Sequence, residues 1–413
     1  MTPAPTGFSG LGIAPSLLNI LGQLNYTQPT PIQVSSIPVA IEGKDLIGIA
    51  QTGTGKTLAF GVPLIQRLAQ VKGKALILLP TRELALQVEE AIQKIGRTLG
   101  LRTAVLIGGA AMGPQTSALR SKPHIVVATP GRLIDHLEHR TVQLHDVTIL
   151  VLDEADRMLD MGFAPQIKRI LQVVPKERQT LLFSATMPDD IVTIARQHMQ
   201  LPVRVEIARA GTAASTITQE LFFIGKEAKV LLLQTILEQY RGSVLVFSRT
   251  KHGARRLARQ VKDMGHPAAD IHSDRSLAQR REALAGFKSG KYRVLVATDI
   301  AARGIDVVGI ELVVNYDLPG NPEDYVHRIG RTGRAGIPGR AISFATFEQR
   351  QDVRSIERLL RTNLKVSPLP VLPAHQPQPT FSAPPFASDR SGPPRHHRRP
   401  FRGPRRPHHR HRA

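Results

Sequence analysis

Short, nearly unbroken runs of Val, Ile and Leu alternate along this chain with longer stretches of helical period. The runs read as strands over Asp45–Ile49, Ala75–Leu79, Ala104–Ile107, Ile125–Ala128, Thr148–Leu152 and Thr180–Phe183. Strands this uniformly apolar are buried on both faces, the condition of a parallel sheet. Between them, Arg82–Gly96 and Ala164–Gln172 carry helical spacing. Such a βαβα alternation predicts an α/β fold, with parallel sheets covered by helices on both faces. Small residues take over at Arg209–Ser215. The rhythm then restarts over Gln219–Ile224, Val244–Phe247, Ala268–Ile271, Val294–Ala297, Leu312–Asn315 and Ala341–Phe344. Two tandem domains are expected, at 1–208 and 219–366, joined by a linker at 209–218. A length of 413 residues suits two domains, and 41% apolar content fills two cores, which excludes wholesale disorder.

Fifty-five Lys and Arg against 33 Asp and Glu leave a net charge of +22, which points to polyanionic partners. No apolar run approaches the ~20 residues of a membrane span. The opening MTPAPTGFSG lacks the basic and apolar regions of a secretory signal. The absence of Cys excludes disulfide frameworks and thiolate chemistry. A soluble, cytoplasmic protein that engages no membrane is expected. The charge is uneven: nine Arg and no acid fall between Arg390 and Ala413, leaving +13 on residues 1–389. Proline is skewed the same way, with 12 of 31 in Pro368–Ala413. Residues 367–413, rich in Pro, Arg and His, cannot offset the entropy of ordering and read as a disordered tail.

Chemistry concentrates first at Ala50-Gln51-Thr52-Gly53-Thr54-Gly55-Lys56-Thr57, between an expected strand and an expected helix. That is the setting of a phosphate-binding loop. Glycines let backbone N–H groups converge on phosphate oxygens, and the helix N-terminus adds favourable partial charge. Lys56 is suited to reach the β- and γ-phosphates of a nucleotide, and Thr57 to place its hydroxyl on Mg²⁺. Ala50 stands where the strict pattern has its first Gly, and a glycine-rich strand–helix turn reads similarly. The second element is Asp153-Glu154-Ala155-Asp156, directly after Ile149-Leu150-Val151-Leu152. Acids at the C-terminal end of a buried strand sit where open α/β sheets bind ligands. Asp153 is suited to hold Mg²⁺ and Glu154 to polarise an attacking water. The plain alternative is an acidic helix N-terminus favoured by the macrodipole.

Asp153–Asp156 spells DEAD, and with the loop before it the chain resembles the DEAD-box ATP-dependent RNA helicases of superfamily 2. It looks most like their bacterial RhlE-like branch. The resemblance covers about residues 7–365 and implies two RecA-like domains, ATP and Mg²⁺ as cofactors, and RNA as partner. Phe8 and the run Tyr26–Gln33 match the family's Q motif. The resemblance implies that Gln33 reads the adenine edge, that Phe8 stacks on the base, and that Gln28 joins the nucleotide contacts. Asn25 stands where the family has Gly, and Asn also tolerates positive φ. The resemblance likewise implies that Ala50, Gln51, Thr52, Gly53, Thr54 and Gly55 cradle the phosphates with Lys56 and Thr57. Ser184-Ala185-Thr186 corresponds to the motif that links hydrolysis to strand separation through contacts with the DEAD acids, Asp156 among them.

In the second domain Asp299–Asp306 matches motif V and His327–Arg334 matches motif VI. Four Arg or His in those eight residues would be a costly concentration of charge without an anion to bind. The resemblance assigns Arg331 and Arg334 to the γ-phosphate as arginine fingers, Gly304 and Asp306 to the nucleotide, and His327 to the coupling network. Lys56 and Arg331 lie in different domains, so the chemistry requires closure of one on the other.

The family's RNA-contacting motifs are present as Pro80-Thr81-Arg82, Gly108-Gly109, Thr129-Pro130-Gly131-Arg132, Arg249, Arg280 and Thr298. Donors of this kind grip phosphates without reading bases. Aromatic content of 4% and the absence of Trp argue against base-stacking platforms. Leu277 stands where the family has the Gln of its QxxR motif, and Gln279 faces elsewhere on a helix, so weaker RNA coupling is expected. The implied function is ATP hydrolysis coupled to local unwinding of short RNA duplexes and remodelling of ribonucleoproteins, in ribosome assembly or RNA decay, by a monomer. The tail either remains a solvated appendage or tethers RNA with strongly salt-dependent affinity. The alternative is an ATP-dependent RNA clamp or annealing chaperone acting mainly through that tail.

Overall fold

The computed structural model describes residues 7–51, 53–207, 217–302, 307, 309–333 and 338–373. In the first half the apolar runs form β1 (Leu46–Ile49), β2 (Lys74–Leu78), β3 (Thr103–Leu106), β4 (Ile125–Ala128), β5 (Val147–Leu152) and β6 (Gln179–Ser184). A further strand, β7 (Val203–Glu206), completes a parallel sheet in the order β3-β4-β2-β5-β6-β1-β7. The second half contains β8 (Ile217–Phe223), β9 (Val244–Phe247), β10 (Ala268–Ile271), β11 (Val294–Ala297), β12 (Leu312–Asn315), β13 (Gly339–Ala345) and β14 (Lys365–Val366). Their order is β10-β11-β9-β12-β13-β8-β14, again parallel throughout. Counted from its own first strand, each sheet has the same order. One architecture is built twice from sequences that do not visibly repeat.

Alternate residues of each strand feed opposite faces of the sheet. Leu46 joins Ile77, Val127, Val151 and Phe183 on one side of the N-terminal sheet. Ile47 joins Leu76, Val126, Leu150 and Leu182 on the other. Each such fully buried side chain contributes about 1.5–3 kcal/mol relative to exposure. Two core clusters flank the C-terminal sheet in the same way.

Three boundaries differ from the sequence reading. β7 has an alternating VRVE pattern on a half-exposed edge, which carries no continuous apolar run. β8 begins at Ile217, inside the span read as linker. Beyond Val366 the Ser367 N–H still donates to the Leu221 carbonyl at 2.9 Å, and Leu372 packs against a core cluster. Linker residues 209–216 and tail residues 374–413 lie outside the described residues. Among the described residues, no helix is long and apolar enough to cross a membrane.

Candidate active site

The loop after β1 turns on Gly53 and Gly55, both at φ +89°, and opens the helix Lys56–Leu68. A side chain at Gly55 would be strained by that φ, and its Cβ would lie 2.3 Å from Gln33 Nε2, so only glycine fits. The Thr54 hydroxyl donates to the Gln51 carbonyl at 2.7 Å, and Lys56 Nζ donates to the Ala50 carbonyl at 3.1 Å. Ala50, in place of a glycine, thus supplies the backbone oxygen that holds the lysine within the loop. Gln33 is 3% exposed and both ends of its amide are engaged: Oε1 accepts from the Thr30 N–H, and Nε2 donates to the Gly55 carbonyl, each at 2.9 Å. It clamps the start of its own helix, Pro31–Ile41, to the phosphate loop. Phe8 is 5% exposed within the N-terminal core, and Gln28 is exposed. Asn25 adopts φ +60°, the left-handed turn expected of it.

At the end of β5, Asp153 is buried, and burial pushes its carboxyl up to about 6. Lys56 pulls that value back and Glu154 pushes it further. Glu154 sits at φ +52°, ψ +50°, a strained conformation for a residue with a side chain. Its carboxylate lies 3.5 Å from Arg157 Nε, both groups buried. Asp156 is held from the next strand: its Oδ2 accepts from Ala185 N–H at 3.1 Å, and from Thr186 N–H and Oγ1 at 3.0 Å each. The Asp156 N–H donates to Ser184 Oγ at 3.3 Å. Four hydrogen bonds thus tie the end of β6 and the loop after it to the acidic run.

Arg157 carries the connection across to the C-terminal lobe. It lines a small cavity with His327, Arg328 and Arg331, between the acidic run and motif VI. Arg331 is 3% exposed, and its Nε donates to the His327 carbonyl at 3.3 Å. Arg328 has a different partner. It is 2% exposed and grips Asp299 with Nε and Nη2 at 2.5 and 2.7 Å. It also donates to Asn315 Oδ1 at 3.1 Å and lies over the Phe247 ring. One of the four basic groups read as an anion site is thus neutralised by the protein's own carboxylate. Thr52, Gly304, Asp306 and Arg334 lie outside the described residues.

The RNA-motif residues collect at the C-terminal ends of β2, β3, β4, β9 and β11. Thr81 Oγ1 caps the helix Arg82–Gly96 by accepting from Leu84 N–H at 3.3 Å, and Thr250 caps Lys251–Asp263 in the same manner. The Arg82 guanidinium lies where a Cβ on Gly109 would be, 1.8 Å from its Nη1, which explains the glycine. Arg132 donates to the Ala110 carbonyl at 2.9 Å and pairs with Asp135 at 3.2 Å. Pro130 is the first residue of its helix, and Thr129 and Thr298 cap helix starts through their carbonyls. Arg249 is exposed, its N–H donating to Asp317 Oδ2 at 3.0 Å.

Sequence reasoning missed the brace behind the Gly108-Gly109 loop. Buried Gln115 exchanges hydrogen bonds with the backbone of Ile107 and lies 3.3 Å from His136 Nε2. Burial pushes His136 below the usual histidine value. No local pattern marks a single Gln in a polar helix as such a brace.

Arg280 and Glu83 form an ion pair between the two lobes at 3.0 Å, with side-chain exposures of 9% and 5%. Leu277, one turn earlier, packs against the N-terminal core cluster. Gln279 is engaged in a capping box with Ser276 and replaces nothing lost at position 277. An apolar inter-lobe contact thus stands where the family has an amide. Breaking one partner of a buried pair costs about 3–5 kcal/mol, because the other charge is left uncompensated. Arg280→Ala and Glu83→Ala are each expected to raise the RNA concentration giving half-maximal ATPase. The double variant should be no worse than either single one, since both remove the same contact. Additive losses in that cycle would show that the pair does not couple the lobes.

The DEAD/DEAH box helicase family pattern matches residues 30–194, and the helicase conserved C-terminal domain matches residues 228–336. The chain is 42% identical to the ATP-dependent rRNA helicase RRP3 of Debaryomyces hansenii over 88% of this chain and 77% of that protein. It is 44% identical to the ATP-dependent RNA helicase DbpA of Bacillus subtilis, over 86% of this chain and 74% of that one. The structure of S. cerevisiae Dbp5 bound to RNA and ADP BeF3 superimposes with a TM-score of 0.79 at 30% identity, covering 88% of this chain and 96% of that one. The two parallel sheets are RecA-like domains, and the chain belongs to the DEAD-box helicases. Its activity is that of the family: ATP-dependent RNA helicase, an RNA-stimulated ATPase.

Proposed function

We propose that ATP turnover in this protein drives local separation of short RNA duplexes through closure of the two lobes. The observation that carries this is the connected path from Thr186 through Asp156 and Arg157 to the cavity containing Arg331. In this reading the loop Ala50–Thr57 holds the phosphates, Glu154 orients the attacking water, and Arg331, with Arg334, meets the γ-phosphate on closure. Phe8, Gln28 and Gln33 support the adenine, and Gly304 and Asp306 the rest of the nucleotide. Asp153 offers one buried carboxylate and Thr57 a hydroxyl, the sparse oxygen set that suits Mg²⁺, which keeps water and phosphate ligands besides. When bound, that ion neutralises charge developing on the transferred phosphoryl group.

RNA is gripped by its backbone at Thr81, Arg82, Gly108, Gly109, Thr129, Gly131, Arg132, Arg249 and Thr298, while Arg280 sets the lobes that frame it. We further read the chain as an RhlE-like, monomeric, cytoplasmic member that acts on ribosomal or RNA-decay ribonucleoproteins. Its likeness to a yeast rRNA helicase supports the ribosomal substrate. The test compares ATPase stimulation by single-stranded RNA and by DNA of matching sequence, then strand release from a short and a long RNA duplex. RNA alone should stimulate, and only the short duplex should separate. Equal stimulation by DNA would overturn the reading. Annealing that persists without ATP and vanishes on removing residues 390–413 would instead favour a tail-based chaperone.

A further inference from the structure

We infer that the C-terminal lobe carries a second RNA-binding surface, an aromatic–arginine platform that takes single-stranded RNA running on from the main groove. The inference rests on the chain acting on RNA. Phe347 is 59% exposed, unusual for a ring on a folded lobe. It stacks on Phe223 with centroids 5.6 Å apart and planes 13° from parallel. The Arg350 guanidinium lies over both rings, 5.8 Å from Phe223 and 5.7 Å from Phe347. The outcome is a stiffened aromatic ring flanked by a cation, the combination on which bases stack irrespective of sequence.

Charge extends from this ring in two directions. On one side Arg350, Arg354 and Arg358 follow one face of the helix Arg350–Leu360, all exposed and lining a shallow cleft. Successive members of that series are about 6 Å apart along the axis, so consecutive phosphates can each meet a guanidinium. On the other side a groove lined by Lys226, Arg249 and Arg256 leads to the Phe247–Thr250 motif and the N-terminus of its helix. Glu348 borders both clefts, which together hold seven cations and two carboxylates. One of those carboxylates, Asp317, is already paired with Lys229. Lys226, Arg256, Arg354 and Arg358 form no ion pair among the described residues. An excess of cations over carboxylates beside a flat, exposed ring, continuous with a loop that faces the main groove, fits a polyanion with stacking faces. An acidic protein segment would account for the charge and leave the exposed ring without a role.

The test uses the full chain with two RNAs, one only long enough to fill the main groove and one with a single-stranded extension. Phe347→Ala should weaken binding of the extended RNA on the order of tenfold, the size of one lost base stack, and leave the short RNA unaffected. Phe347→Trp should retain the affinity. Arg354→Glu with Arg358→Glu should lower the salt slope for the extended RNA by about 0.7 per lost phosphate contact, again without effect on the short RNA. Equal affinities of wild type and Phe347→Ala for the extended RNA would overturn the inference. So would loss of an acidic peptide's binding with RNA binding intact. Short-RNA-stimulated ATPase persisting in all variants would leave the helicase reading standing in either case.

Discussion

Arg331→Ala is expected to lower RNA-stimulated ATP turnover by about 10³- to 10⁵-fold, the worth of an arginine finger in related nucleotide hydrolases. Nucleotide affinity should change little, because the loop Ala50–Thr57 that we propose holds the phosphates belongs to the other lobe. Arg331 is almost wholly buried and its Nε donates to the His327 carbonyl, so the fold itself anchors the side chain. If it meets the γ-phosphate as proposed, charge anchored in this way acts on the transition state with little reorganisation at the moment of reaction. A fluorescent nucleotide titration beside steady-state turnover separates the two effects. Equal loss of binding and turnover would refute the finger role.

Glu154→Gln should reduce turnover by about 10²- to 10⁴-fold while ATP-dependent RNA binding persists. The amide keeps the shape of the side chain and its contact with Arg157 but no longer draws a proton from water. Lys56→Ala should act earlier, by weakening ATP binding itself, since the ammonium is the charge held inside the loop. The two variants therefore fail differently: one traps a bound complex, the other does not form it. Filter binding of RNA with and without ATP, beside turnover, reads the difference. Glu154→Gln turning over at the wild-type rate would remove Glu154 from the chemistry.

Much of this was legible in the chain. Ile125–Ala128, Val244–Phe247 and Val294–Ala297 are legible to the residue, because a strand buried on both faces is apolar along its length. Ala268–Ile271 and Leu312–Asn315 are legible too, and their polar members are buried with partners, Asp270 on Arg275 and Asn315 on Ser343 and Arg328. β7 and β14 were missed for the complementary reason. Both lie at the outer edge of their sheets, where one side faces solvent and the apolar run is broken. The phosphate loop and the acidic run were also plain, since each needs particular residues at fixed spacing along a single segment.

What the chain did not disclose is how its charges pair at a distance. Arg328 and Arg331 stand three residues apart in one basic cluster, yet Arg328 is neutralised by Asp299 while Arg331 lines the cavity shared with the acidic run. The resemblance implies a phosphate contact for Arg280, and in the fold it meets Glu83 from the other lobe. Phe223 and Phe347 are 124 positions apart in a chain whose 4% aromatic content argued against stacking surfaces, and folding puts one ring on the other. Local pattern determined the two α/β domains, the phosphate loop and the acids, because periodicity and short motifs are written along one stretch of backbone. Only the tertiary structure decided which arginine meets which carboxylate, because Coulomb and stacking energies depend on distances in space that sequence separation does not encode.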